Sequence, residues 1–118
     1  MIIIYQINSY KFGHIEIDNK TYTNDVIIYP DKLKNDWWRN EGHRLHKSDL
    51  EDLADYNPDL IIIGTGASGR MKVDPKLKQY FDEHGLEYFI GTTNKAVKKH
   101  NQMNEQNKNV LTALHLTC

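Results

Sequence analysis

The residues of this chain that could do chemistry lie in three short segments. The first holds paired tryptophans followed by basic side chains: Trp37, Trp38, Arg39, His43 and Arg44. The second is the glycine-rich run at residues 64–70, and the third covers residues 92–94. Tryptophan and arginine dominate binding hot spots, and histidine changes its charge near neutral pH. Two readings of the tryptophans stay open: they fill the core or cover the end of a sheet, or they form a recognition surface for a ligand or a partner. His43 is the best candidate for acid–base chemistry.

The glycine-rich segment matches the dinucleotide-binding pattern G-x-G-x-x-G at Gly64, Gly66 and Gly69. In a dinucleotide site the helix begins within the motif, so that its N-terminus faces the pyrophosphate. Here Asp74 and Pro75 start the helix several residues too late, so we expect no dinucleotide and no other cofactor. Two readings stay open: a turn that simply needs glycine, and a loop whose N–H groups face a small anion.

Neither a metal site nor a catalytic set is legible in the sequence. His43 and His46 are close together, but no cysteine or carboxylate cluster completes a metal site of typical spacing. Ser68 lies among glycines, but the nucleophile pattern G-x-S-x-G is absent. His115 lies in an apolar stretch, and we expect it to be a buried, hydrogen-bonded imidazole. We therefore assign no metal and no catalytic residue, and we leave open whether the protein is an enzyme.

Positioning these segments requires strands that alternate with helices. Turn residues at 18–20 predict a hairpin, and a buried strand should follow it and end at Pro30. Ser48 and Glu51 predict the capping box of a first helix. The remaining elements are buried strands at residues 60–63, 88–90 and 110–116 and helices that open at residues 74 and 91. This order predicts an α/β layer architecture.

The three segments would meet if the strands that end at Tyr29, Ile63 and Ile90 were parallel. In open α/β sheets, ligands bind beyond the carboxyl ends of the strands. We therefore predict a candidate pocket at that edge of the sheet. Its residues are Trp37, Trp38, Arg39, His43, Arg44, Gly64, Thr65, Gly66, Gly69 and Thr93.

Size and composition indicate one globular α/β domain over residues 1–118, with 39% hydrophobic and 26% charged residues. A net charge of -1 argues against a nucleic-acid partner, which would need a basic face. The single cysteine, Cys118, fits a reducing compartment, and the apolar runs are too short to cross a membrane. With no leader pattern at the N-terminus, we expect a cytoplasmic protein with no membrane partner.

The order of short motifs along nearly the whole chain resembles a family of unknown biochemical function. That family includes single-domain archaeal and bacterial proteins, an animal adipogenesis-associated protein and a mitochondrial respiratory complex I assembly factor. The matching residues are Phe12-Gly13, Tyr22-Thr23, Asp25-Val26, Trp37-Trp38-Arg39, Gly42-His43, Gly64-Thr65-Gly66, Met71, Ala96-Val97, Asn101 and Leu114-His115-Leu116. The resemblance implies a three-layer α/β fold with a mixed central sheet, flanking helices and an additional N-terminal β-hairpin. It implies no catalytic residues.

Two functions follow from these observations. The first is a non-enzymatic binding or assembly module, which predicts that Trp37, Trp38 or neighbouring apolar residues form an exposed patch. The second is an enzyme or sensor for a small anionic ligand, held in the edge pocket by the glycine-rich segment and the basic side chains. We prefer the first because no nucleophile or metal set is legible and because the resemblance includes an assembly factor.

Overall fold

The computed structural model describes residues 5–39, 42–50 and 53–118. The strands are β1 (Ile7–Lys11), β2 (His14–Ile17), β3 (Lys20–Tyr22), β4 (Val26–Ile28), β5 (Leu33–Lys34), β6 (Arg44–Leu45), β7 (Leu60–Gly64), β8 (Lys72–Val73), β9 (Tyr88–Gly91) and β10 (Val110–Leu114). The helices are α1 (Leu53–Tyr56), α2 (Pro75–Glu83) and α3 (Thr93–Glu105), and a short 3₁₀-helix covers Lys47–Asp49.

The central sheet has five strands in the order β5-β4-β10-β7-β9. Strand β10 lies in the middle and pairs antiparallel with β4 and parallel with β7. Strand β7 in turn pairs parallel with β9, so the sheet is mixed. A second, small sheet is antiparallel in the order β1-β2-β3, and β6 pairs with β8 in a parallel two-stranded ladder.

Alternation along the central strands divides the core into two clusters, because successive side chains point to opposite faces of a sheet. On one face, strand residues pack with α2, and this cluster includes Ile27, Ile61, Ile63, Leu77 and Phe81. On the other face, strand residues pack with α3 and the small sheet, and this cluster includes Ile15, Ile17, Ile28, Ile62 and Ala96. The arrangement has three layers, as the resemblance implies.

Local signals placed two elements correctly. The turn between β2 and β3 consists of Asp18 and Asn19, with φ angles of 50° and 67°, which is the left-handed pair of a tight hairpin turn. At the start of α2, Oδ1 of Asp74 accepts a hydrogen bond from the N–H of Lys76 at 2.9 Å, and Pro75 is the first helical residue. The predicted hairpin and the predicted start of the second helix are therefore confirmed.

The assumed direction of the strand at residues 26–28 is wrong. Strand β4 runs antiparallel to β10 and hence to β7 and β9, whereas the pocket prediction took it as parallel. The chain reverses once more through β5, which is antiparallel to β4. This extra reversal returns the chain to the carboxyl edge of β7, β9 and β10, where Arg39 meets His115.

In the part of the chain that the structure describes, the predicted first helix is represented by α1, and a 3₁₀-helix at Lys47–Asp49 lies before it. Oδ2 of Asp49 accepts a hydrogen bond from the N–H of His46 at 2.9 Å. This contact caps a turn that begins at His46, two residues before Ser48, where the capping box was expected. Glu51, the other residue of that box, lies outside the described residues. A nearby carboxylate has thus taken the capping role.

The small sheet is fastened to α3 by side-chain amides and a buried imidazole. Asn101 binds the backbone of Ile7 twice, with Oδ1 accepting from N–H at 3.0 Å and Nδ2 donating to the carbonyl oxygen at 2.8 Å. His100 Nδ1 lies 2.7 Å from Oγ1 of Thr112. Burial lowers the pKa of His100, so this imidazole is neutral at physiological pH. These contacts fix the start of β1 on α3, and α3 on the central sheet.

Candidate functional site

His115, the residue that follows β10, is contacted by all three predicted segments, through Arg39 and His43, through Gly64 and through Thr93. Its Nδ1 lies 2.8 Å from Oδ2 of Asp25, which precedes β4, and 3.1 Å from Nη2 of Arg39. The ring of His43 approaches the His115 ring edge-on, with 5.6 Å between the centroids. We call Asp25, Arg39 and His115 the edge cluster, because they lie at the carboxyl edge of the parallel strands.

Arg39 is held in the edge cluster by the burial of Trp37. Nε1 of Trp37 donates to the carbonyl oxygen of Asp49 at 2.9 Å. The backbone N–H of Trp37 donates to the carbonyl oxygen of Asp25 at 3.0 Å. The guanidinium of Arg39 lies 4.6 Å from the centre of the Trp37 ring. Nη2 of Arg39 also donates to the carbonyl oxygen of Gly42 at 2.8 Å. Trp37 is therefore a buried core residue that positions Arg39, and it is not part of an exposed patch.

Asp25 is the acceptor of the edge cluster. Its Oδ1 accepts from the N–H of Leu116 at 2.8 Å, and Nη1 of Arg39 lies 2.8 Å from its Oδ2. Burial alone would raise the pKa of this carboxyl group. The hydrogen bonds from His115 and Leu116 and the ion pair with Arg39 together outweigh burial and hold the pKa below its ordinary value. Asp25 is therefore ionised at neutral pH.

The ionised Asp25 decides which nitrogen of His115 carries a proton. A carboxylate only accepts hydrogen bonds, so the short contact to Nδ1 makes that nitrogen the donor. Nη2 of Arg39 lies near the same nitrogen, but it has the carbonyl oxygen of Gly42 as its acceptor. The basic nitrogen of the imidazole is then Nε2, which lies 3.5 Å from Oγ1 of Thr117. The cluster can thus orient an imidazole, as acid–base chemistry requires, although His115 is buried.

The glycine-rich segment binds residues 115–118 with its own backbone. Its N–H groups donate from Gly66 to Oγ1 of Thr93, from Ala67 to the carbonyl oxygen of Thr117 and from Arg70 to that of Cys118. Oγ1 of Thr93 donates onward to the carbonyl oxygen of His115 at 2.6 Å. Gly66 has a φ of 105°, and a Cβ there would collide with the backbone of Cys118. These contacts favour the reading in which the turn needs glycine, because the N–H groups of Gly66, Ala67 and Arg70 are used within the protein.

The other predicted residues lie away from the edge cluster or serve the backbone. Arg44 is exposed, and its Nε lies 3.6 Å from Oδ2 of Asp74 at the start of α2. Oγ1 of Thr65 donates to a backbone carbonyl oxygen of β9 at 3.0 Å. Gly64 is the last residue of β7, and Gly69 has a left-handed φ of 72°. Of the basic side chains predicted, Arg39 and His43 are thus brought together, and Arg44 is directed elsewhere.

Sequence reasoning did not select Asp25 as a site residue and gave His115 a structural role only. His115 is indeed buried and hydrogen-bonded, but its partner is 90 residues away in the chain, and no local pattern links the two. The available signal was a carboxylate placed directly before an apolar strand and a histidine at the end of another. Such a signal becomes informative only when the two strands are known to be neighbours.

Two large hydrophobic side chains are exposed among the described residues, and we call them the aromatic pair: Phe12, at 59%, and Trp38, at 74%. Phe12 lies in the β1–β2 turn, where the N–H of Gly13 donates to the carbonyl oxygen of Leu116 at 2.9 Å. Trp38 directly precedes Arg39, which contacts His115. The aromatic pair therefore lies on two chain segments that contact residues 115 and 116.

The fold is that of a three-layer α/β protein, in which a mixed five-stranded sheet has helices on both faces and a small antiparallel sheet lies beside α3. The edge cluster lies at one edge of the five-stranded sheet. The sequence matches a family described as protein of unknown function (DUF498/DUF598) over residues 7–115, and the chain belongs to that family. Within residues 5–39, 42–50 and 53–118, no helix is long and apolar enough to span a bilayer. The same part of the chain holds no group of three or more metal-binding side chains.

Solved structures with the same fold come from several organisms. The conserved hypothetical protein PH1505 from Pyrococcus horikoshii OT3 is 25% identical, with a TM-score of 0.77 over 96% of this chain and 99% of that one. An outer membrane protein from Bartonella henselae is 16% identical, with a TM-score of 0.82 over 98% and 97%. A Bordetella pertussis protein described as a Mth938-like domain is 15% identical, with a TM-score of 0.71 over 95% and 85%. These likenesses confirm the predicted α/β fold.

Proposed function

We propose that this protein is a non-enzymatic binding or assembly module that recognises another protein through the aromatic pair. The observation that carries the proposal is the exposure of Trp38. Its side chain is 74% exposed although both neighbours in the chain are anchored, with Trp37 at 5% and Arg39 at 8% exposure. A large apolar side chain presented from a rigid segment loses little conformational entropy on binding, which is the usual property of a hot-spot residue.

The position of Phe12 supports a binding surface that includes Trp38. Its turn is bonded to Leu116, and the residue after Trp38 contacts His115, so the two segments that carry the aromatic side chains meet at adjacent residues. Tyr10 adds a further tie, because its hydroxyl donates to the carbonyl oxygen of Leu116 at 2.8 Å. The resemblance to an assembly factor noted above agrees with this choice over an enzyme.

The test compares partners captured by tagged wild-type protein and by Trp38→Ala and Phe12→Ala, singly and together, with quantitative mass spectrometry. Truncating a hot-spot residue costs about 2 kcal/mol or more, so Trp38→Ala should weaken the captured partner's affinity by about 30-fold in a titration with purified protein. Lys78→Ala changes an exposed residue of α2 and is the control, which should keep full affinity. Retention of every partner by the double aromatic variant would contradict the proposal.

A second candidate function is the binding of a small anion beside the edge cluster. The specific observation is that Nε and Nη1 of Arg39 are buried and donate no hydrogen bond to any acceptor among the described residues. Nη1 does lie 2.8 Å from Oδ2 of Asp25, but this contact is an ion pair without hydrogen-bond alignment. A phosphate or carboxylate would supply acceptors, and the exposed His43 beside His115 would complete its recognition.

Thermal unfolding in inorganic phosphate separates this candidate from the first. Phosphate at about 100 times its Kd should stabilise the wild-type protein by about 2.7 kcal/mol and so raise its Tm by several degrees. The increase should shrink in His43→Ala and in Arg39→Met and stay unchanged in Lys78→Ala, each compared with chloride at equal ionic strength. Equal Tm values in chloride, phosphate, nucleotides and carboxylates would exclude an anion site.

A further inference from the structure

The two edges of the central sheet differ in how they are protected. The edge strand β5 has only two residues, Leu33 and Lys34, and charged Asp31 and Lys32 precede it. Short, charged edges are a usual defence against pairing with another chain. The opposite edge strand, β9, reads Tyr-Phe-Ile-Gly, with no charged residue and no proline. Every residue of β9 is partly exposed, so this edge lacks the defence that β5 has.

The hydrogen bonds of β9 show which backbone groups face outward. Glu87 and Gly91 accept hydrogen bonds at 2.9 Å from the N–H groups of Ile61 and Thr65, so the odd-numbered residues of this segment face β7. The backbone groups of Tyr88 and Ile90 therefore face away from β7. No hydrogen bond of the described residues uses them, and they form an open row of donors and acceptors.

We propose that β9 is the site at which a second copy of this chain extends the sheet, antiparallel and related by a two-fold axis at Phe89. In this register Tyr88 of each copy exchanges both backbone hydrogen bonds with Ile90 of the other. The two Phe89 residues form the intervening pair without hydrogen bonds, in which side chains approach most closely. The interface is the same patch on both copies, as a closed dimer requires.

Charge complementarity selects this occupant over an unrelated strand. Glu87 is exposed at one end of β9. At the other end lies exposed Lys95, whose Cβ is 3.6 Å from the position that a Cβ at Gly91 would take. A two-fold axis at Phe89 places Glu87 of each copy opposite Gly91 of the other, beside Lys95. The strand is thus complementary in charge to an antiparallel copy of itself, and opposite charges across an interface favour association.

The first test is the mass in solution as a function of concentration, by sedimentation velocity. The wild-type protein should move from 13.8 kDa to twice that mass as its concentration rises. Glu87→Lys and Lys95→Glu should each weaken the dimer about tenfold or more, because each places like charges together. The double variant should restore wild-type affinity, which an effect on folding alone would not do. The proposal does not rest on the aromatic pair, so Trp38→Ala should dimerise normally.

The second test probes the register directly. With Cys118→Ser as background, Phe89→Cys should form a disulfide-linked dimer under mild oxidation, because the two-fold axis brings the two residues together. Lys78→Cys in the same background should stay monomeric under the same conditions. A wild-type protein that remains at 13.8 kDa up to about 500 µM, a concentration at which even weak complexes form, would overturn the proposal. So would a dimer that neither charge reversal weakens.

Discussion

Trp37→Ala is expected to lower the free energy of unfolding by about 3–5 kcal/mol, as large aromatic truncations in a core do. The indole is 5% exposed and lies in the cluster that faces α2. Its removal leaves a cavity, and it takes away the donor that satisfies the carbonyl oxygen of Asp49 at 2.9 Å. It also removes the ring against which the Arg39 guanidinium lies at 4.6 Å. Urea unfolding followed by circular dichroism measures the loss.

The adjacent tryptophan provides the matched control for this experiment. Trp38→Ala removes a side chain of the same size that is 74% exposed, so it should change the free energy of unfolding by no more than about 0.5 kcal/mol. Trp37→Phe should fall between the two, because it keeps much of the apolar contact and loses the hydrogen bond to Asp49. Equal losses of unfolding free energy in Trp37→Ala and Trp38→Ala would mean that Trp37 is not the buried core residue and Trp38 not the exposed one.

Elements with strong local signals were predictable from the sequence. The start of α2 depends on Asp74 and Pro75, which act within one turn, and the β2–β3 turn depends on two residues that tolerate left-handed φ angles. The family resemblance was also sufficient for the three-layer architecture. The direction of β4 was not predictable, because it is decided by pairing with β10, more than 80 residues later in the chain, and by the very short return strand β5.

The candidate site was predictable only in part, and for the same reason. The segment at residues 37–39 was selected because of its residue types, but whether each side chain is buried depends on tertiary contacts. Trp37 and Trp38 are identical in type and adjacent, yet one is in the core and the other faces solvent. Asp25 gains its role from His115 and Leu116, which are brought to it by the pairing of β4 with β10. Sheet topology therefore had to be known before this carboxylate could be recognised.

Asp25→Ala is the second substitution with a large expected effect, about 3–5 kcal/mol of unfolding free energy at neutral pH. Removing the carboxylate leaves the guanidinium of Arg39 buried without a counter-charge, since Nη1 now lies 2.8 Å from Oδ2. The N–H of Leu116 and Nδ1 of His115 lose their acceptor as well, at 2.8 Å each. Asp82→Asn changes an exposed carboxylate of α2 and should have little effect.

The pH dependence of stability identifies the ionised form as the one that matters. The pKa of Asp25 is lowered in the folded protein relative to 3.8, so the stabilisation is complete above that value and is lost as pH falls through the folded pKa. Wild-type stability should therefore decline below about pH 4, and Asp25→Asn should decline less steeply over the same range. Parallel acid profiles for the two proteins would show that the carboxylate is not stabilised by folding.

A double-mutant cycle decides whether the loss in Asp25→Ala comes from the stranded guanidinium. If it does, Arg39→Met in the same chain should recover part of the stability, because it removes the charge left unpaired while its stem still covers the Trp37 ring. The coupling between the two sites should then be about 1–3 kcal/mol, within the range measured for contacting residues. Additive losses would instead assign the effect of Asp25→Ala to its bonds with Leu116 and His115, and the buried ion pair would contribute little to the fold.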